Sequence, residues 1–479
     1  MTFTLTSRGG PGLAGAGRKA LGERVEAALA RARAAGAPVL ASLTLPVEGE
    51  ADPSAMAFAS RRANEPLFCF EQPDRAGAAL AALGDALALE ASGPARFAQV
   101  AEGWRAAAAA AVAGPADGPP GAGLVAVGGF GFAPNPGGAP GWEGFPPAAL
   151  NVPEVALARR AGEVRLTVTA LVAPDDVSDD VVAALQARVA ELHTRPLPLP
   201  DPAPAVRSRV VGAMPPEHYE SAVGRAVERI RAGDLDKVVL AREVDVHAAG
   251  PHDPAAAFGV LREAFPSCFS FCVARDGAAF LGASPELLVR REGQRASTVA
   301  LAGSIRRSAD PAVDDHLGEQ LLRSPKDREE HAIVARRIER TLSAHSVWVA
   351  AAPEPELVRM ANVQHLGTPI RAQLAEPMGA VDLAGTLHPT PAVGGEPRDA
   401  ALRLIPALEG MDRGWYAGAI GWSDAAEDGE FCVGLRCALL DEGLARCYAG
   451  VGVVRDSDPA SELAETEVKL DALLPILAA

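Results

Sequence analysis

Every second residue from Pro196 to Pro204 is a proline (PLPLPDPAP). Proline has no backbone N–H to give to a helix interior or a central strand, so no regular element runs through this stretch. It is a stiff, extended connector that separates residues 1–205 from residues 206–479. It reads either as a linker between domains or as a surface crossing within one. Before it the chain is rich in alanine, glycine and proline. Residues 18–34 have the period of an amphipathic helix, and the apolar run 106–113, too short to span a bilayer, reads as helix. Gly- and Pro-rich loops at 114–123 and 133–147 bracket a strand at 124–132 that ends Gly128-Gly129-Phe130-Gly131-Phe132. These glycines match neither the dinucleotide nor the P-loop spacing, so they predict a bent strand and no phosphate loop.

After the proline run, residues 216–232 read as an amphipathic helix closed by Gly233. A strand at 237–242 follows with Lys237 near its start. Strands at 269–274 and 278–282 flank the turn Arg275-Asp276-Gly277. A long helix is predicted at 324–343, with Pro325 in its first turn. Segments 430–440 and 445–454 read as one hairpin around Asp441-Glu442-Gly443, and a last helix extends to about Leu477. Mixed strands and helices without an internal repeat indicate an α/β or α+β fold.

Lysine and arginine number 45 against 61 aspartates and glutamates, a net charge of −16. That balance argues against nucleic acid or an anionic membrane as partner. An anionic substrate would then need local positive charge or a metal. The six cysteines form no CxxC pair and read as buried free thiols, and the chain opens without an apolar leader, so a cytoplasmic protein is expected.

Two predicted helices present acids at helical spacing: Asp327, Glu330 and His331 on one, Glu462, Glu465 and Lys469 on the other. Solvated ion pairs explain such faces; so does a hard cation such as Mg2+ held between them. Lys237 is either a lysine snorkelling from a strand end or a desolvated general base. Glu286, after a Ser-Pro turn, is either an exposed turn carboxylate or a general acid kept protonated in a cleft. The residues alone point to a metal-dependent enzyme acting on an anionic metabolite.

Nine segments in order carry a resemblance: DLDKVVLARE (234–243), FLGASPELLV (280–289), LAGSIRR (301–307), SPKDREEHAIV (324–334), VQHLGTPI (363–370), LHPTPAVGG (387–395), RGWYAGAIGW (413–422), FCVGLRCAL (431–439) and residues 448–470. This region resembles the catalytic part of the chorismate-utilising enzymes, which include isochorismate, salicylate, anthranilate and aminodeoxychorismate synthases. The resemblance implies two β-sheets packed face to face with helices outside. Residues 206–479 would form the chorismate-binding catalytic region, and residues 1–205 a divergent part completing the same core.

It also implies roles. Lys237 matches the base that activates water, and Glu286 the acid that protonates the leaving hydroxyl. Glu330 and Glu465 match magnesium ligands, with Asp327 and Glu462 beside them. His365, Ala392, Tyr416, Arg436 and Lys469 match substrate-pocket positions, and the backbone at Gly303, Ser304, Gly450 and Gly452 would offer N–H groups to substrate carboxylates. Three positions sort the members. Lysine at 237 favours water over ammonia, Ala302 differs from the lysine of aminodeoxychorismate synthases, and Ala392 from the threonine of salicylate synthases. The expected activity is therefore a magnesium-dependent isochorismate synthase of menaquinone or siderophore biosynthesis, most similar to the menaquinone type. A salicylate synthase and a non-catalytic chorismate-binding regulator are the alternatives. The sequence does not set the oligomeric state.

Overall fold

The computed structural model describes residues 3–4, 13, 15–115, 117–135, 137–201 and 207–478; the end of the proline run, 202–204, lies outside them. Residues 192–201 carry neither helix nor strand, and Leu197 packs beside Gly259 of helix Pro254–Ala264.

Among the described residues the strands form one thirteen-stranded and one ten-stranded sheet, almost wholly antiparallel. Strands from before and after the proline run share both. In the larger sheet Leu67–Gln72 pairs with Phe269–Arg275, Cys69 opposite Cys272. In the smaller one Val125–Phe130 pairs with Ala419–Asp424, Gly128 opposite Gly421. The sheets face each other across a core of Phe68, Phe70, Phe271 and Phe280 from the larger and Val127, Phe130, Ile420 and Phe431 from the smaller.

Period-two geometry sends the intervening residues to the other face. Cys69, Ala81 and Cys272 there meet Leu21, Val25, Val182, Leu185, Phe258 and Leu261 from helices Gly15–Ala35, Ser178–Ala190 and Pro254–Ala264. Central strands covered on both faces read as continuous apolar runs, as 269–274 does. All six cysteines are unpaired and buried. No helix among the described residues is long and apolar enough to cross a membrane.

Three readings need correction. The helix at 106–113 is Arg96–Ala110; Val112 instead bridges Ala41. The last helix, Pro459–Leu470, is separate from a short one at Leu474–Leu477. The predicted strand 430–440 is two strands: Gly429–Val433 belongs to the smaller sheet and Cys437–Asp441 to the larger. Only the second forms the hairpin with Leu444–Val453. At Gly128 the backbone takes a φ of 150°, where a Cβ would lie 2.2 Å from Ala149 O, while the pairing on both sides runs without a register shift.

Candidate active site

The chain crosses from one sheet to the other at two adjacent places, and these build the site. Strand Ala278–Ser284 passes through Pro285-Glu286 to Leu287–Glu292, and Gly429–Val433 passes through Gly434-Leu435-Arg436 to Cys437–Asp441. The crossings are laced together. Ala283 N donates to Arg436 O (3.1 Å), Val433 N to Glu286 O (3.0 Å), and the Ser284 hydroxyl to Val433 O. Arg436 takes a positive φ of 48°. Glu286 and Arg436 are thereby fixed where the sheets part.

The next wall is strand Leu444–Val453. Its pairing with Cys437–Asp441 ends at Tyr448, so one edge beyond that residue is open. On the other side, Val239 N donates to Gly394 O and Ala241 N to Glu409 Oε1 (2.7 Å). The pairs Val239–Gly452 and Ala241–Gly450 are thus not hydrogen-bonded pairs, and the amides of Gly450 and Gly452 face the open edge. Side chains do not fit there: a Cβ on Gly452 would lie 2.0 Å from Glu330 Oε1, and one on Gly450 2.7 Å from the Tyr416 hydroxyl.

A bulge at Gly303 in strand Arg295–Arg306 forms the third wall. The cleft is closed by helices Pro325–Ser343 and Pro459–Leu470. Glu330 reaches it from the first, and Glu465 and Lys469 from the second. Glu286, Ala302, Gly303, Ser304, Glu330, His365, Ala392, Tyr416, Arg436, Gly450, Gly452, Glu465 and Lys469 all line one cleft. Lys237, Asp327 and Glu462 do not line it. Lys237 is fully buried behind Glu330, with Nζ 3.0 Å from Glu330 Oε1 at an angle that makes no hydrogen bond.

Glu286 is 4% exposed, so the solvated turn reading does not hold. Burial pushes its carboxyl up to about 8, opposed by the charge of Lys237, a 3.5 Å hydrogen bond from Thr390 and the charge of Lys469. His365 is neutral. Its Nε2 lies 3.2 Å from Arg436 Nη2, which can only donate, so the proton sits on Nδ1 and faces Gly303 O (3.2 Å) and Ser304 Oγ (3.0 Å). Burial, then the Arg436 charge, hold this imidazole well below its usual range. Burial raises the Tyr416 phenol, whose ring stacks on Tyr448 at 5.2 Å. His331, on the face of Asp327 and Glu330, turns instead to Thr368 Oγ1 at 2.7 Å.

The acids expected to hold a cation come within electrostatic reach of one another. Burial, and then the charges of Glu330 and Glu465, raise Asp327 against a hydrogen bond from Ser324. Burial and the Glu465 charge raise Glu462 against Lys326. The donors are all carboxylate oxygens, the set a hard divalent cation takes, and Glu462 Oε2 is buried with no hydrogen-bond partner. The residues present fit such an ion. Among the described residues, however, no three acids stand close enough to hold one as they are. Lysines occupy them: Lys237 at Glu330, Lys469 at Glu465 (2.8 Å), and Lys326 at Glu462 (2.5 Å). The i,i+4 pair Glu465–Lys469 therefore exists and lines the cleft as well.

Sequence reasoning missed Thr390 and Lys326 as site residues, although both fall inside the segments that carry the resemblance. Their roles depend on Glu286 and Glu462, which are remote in sequence.

The chain is similar to known proteins over nearly its whole length. The family described as chorismate binding enzyme matches residues 27–478. The salicylate biosynthesis isochorismate synthase of Pseudomonas aeruginosa is 38% identical, covering 95% of this chain and 93% of that protein. The isochorismate synthase MenF of Bacillus subtilis is 35% identical over 74% of this chain and 75% of that one. Among solved structures, the menaquinone-specific isochorismate synthase of Escherichia coli superposes with a TM-score of 0.77 at 28% identity, covering 96% of this chain and 99% of that one.

Proposed function

We propose an isochorismate synthase activity, starting from the premise that the chain belongs to the chorismate-binding enzyme family. The observation that carries the reading is a buried carboxyl, Glu286, that lines the cleft and is raised to about 8, with the amine of Lys237 behind the cleft wall and within electrostatic reach of it. Glu286 is protonated at neutral pH, as a general acid must be.

Chorismate carries two carboxylates. Arg436, Lys469 and the amides of Gly450 and Gly452 receive them, and neutral His365 holds the Arg436 guanidinium in place. Lys237, in the uncharged form that a base must have, takes a proton from water, whose oxygen bonds to C2 of the ring. The double bonds shift, the C4–O bond breaks, and Glu286 gives its proton to the departing hydroxyl, which leaves as water. The product is an isomer of the substrate. Proton exchange with solvent returns Lys237 and Glu286 to their starting states. Glu330 and Glu465, with Asp327 and Glu462 beside them, would hold Mg2+; when bound it offsets substrate carboxylate charge and fixes the ring's orientation. Isochorismate made here would supply menaquinone or siderophore synthesis.

Purified protein incubated with chorismate and Mg2+ tests the reading by separation of products. Isochorismate alone is expected. Salicylate with pyruvate would make it a salicylate synthase, and unchanged chorismate a binding protein.

The Glu286 carboxyl gives the pH dependence its sign. It donates only while protonated, so kcat/KM is expected to fall as pH rises through about 8, and Glu286→Gln to remove turnover at every pH. Stability falls in the same direction, but over a lower pH window. In the unfolded chain the group ionises near 4.5, so from there up to about 8 only the folded state keeps its proton, and the fold loses stability as pH rises. Thermal melts should show Glu286→Gln gaining on the wild type across that window. A variant that tracks the wild type at all pH values would show that the carboxyl is not held protonated.

A further inference from the structure

Three lysines share the carboxylates of the acid cluster, but they are not equivalent. Lys469 lines the cleft, so it can exchange its carboxylate for an anion that enters, and Lys237, fully buried behind the wall, serves as the base. Lys326 does not line the cleft. It sits in the first turn of the helix that carries Asp327 and Glu330, and its Nζ bonds Glu462 Oε1 at 2.5 Å. Its charge reaches Glu462 first, then Glu465 and Glu330. Glu462 is fully buried, with its second oxygen unpartnered. A carboxylate there needs a counter-charge, which Lys326 supplies while no metal does.

We propose that Lys326 is the resident counter-ion of the acid cluster: it neutralises Glu462 while the cluster is free of metal and, by staying in place, weakens the loading of a divalent cation. The inference rests on the reading of Glu330 and Glu465 as cation ligands. Lys469 lines the cleft and can turn to the substrate; Lys326, anchored on the helix that carries Glu330 and bonded to Glu462, keeps its positive charge beside the incoming ion. Removing it deletes a repulsion and frees both oxygens of Glu462 to face the ion. Lys326 is a positioning residue, because it acts through Glu462 and touches no substrate.

Calorimetric titration of Mg2+ into the full chain without chorismate is the test, with thermal melts to confirm that each variant is folded. Lys326→Met is expected to bind Mg2+ about tenfold more tightly than the wild type, from removal of one nearby unit charge. Lys326→Gln serves as a second neutral variant with the same expected gain, and Lys326→Arg, which keeps the charge, should match the wild type. Equal or weaker binding by the folded neutral variants would overturn the proposal while leaving the cation reading intact. Wild-type protein that binds no Mg2+ and is fully active under chelation would overturn both.

Discussion

Lys237→Ala is expected to leave a folded protein that binds chorismate but turns it over about 10³-fold more slowly, or less, the scale of a lost general base. The amine lies at the first residue of strand Lys237–His247, fully buried, and among the described residues its ion-pair partner is Glu330. Bulk water cannot take over its proton transfer there. Substrate affinity is expected to survive, because Arg436, Lys469 and the glycine amides belong to other elements. Removing half of a buried pair carries a stability cost of about 3–5 kcal/mol, so Lys237→Met, which keeps the volume, should be measured alongside. Melting, chorismate binding and turnover together separate chemistry from folding. Retained turnover in either folded variant would remove the lysine from the mechanism.

Chelation is expected to be as severe. EDTA should abolish turnover and added Mg2+ restore it. The chain has a net charge of −16, and Glu330 and Glu465 line the cleft that must admit a dianion. A substrate carboxylate about 4 Å from either acid meets a repulsion of about 4 kcal/mol at an effective dielectric of 20. Arg436 and Lys469 cannot offset both acids and both substrate carboxylates, and Lys469 is already bonded to Glu465 and to Gly450 O (2.9 Å). Full activity in the chelated enzyme would return Glu330 and Glu465 to plain partners of their lysines.

Elements governed by local chemistry were legible in the sequence. Helix Pro325–Ser343 starts where Ser324 caps it and Pro325 needs no N–H donor, and Asp276-Gly277 turns a hairpin through positive φ at both residues. What tertiary pairing decides was not legible. Residues 430–440 keep one apolar character while changing sheets, and only Gly434 marks the crossing that places Arg436. The proline run could not be assigned as linker or crossing from composition; the pairing of Leu67–Gln72 with Phe269–Arg275 shows strands on either side of it in one sheet. At the site, helical spacing placed Glu330 and Glu465 correctly on their helices. It could not show that Lys237 and Lys326 reach across to Glu330 and Glu462, or that burial alone would lift Glu286 so far.

Turnover of chorismate in water enriched in ¹⁸O, followed by mass spectrometry of the product, addresses the acid–base pair itself. If a lysine-activated water attacks on one side while a glutamic acid expels the hydroxyl on the other, each isochorismate gains one labelled oxygen, located at C2. Product that keeps only the substrate's own oxygens would mean the hydroxyl migrates within the molecule, and neither Lys237 nor Glu286 would have the part assigned to it.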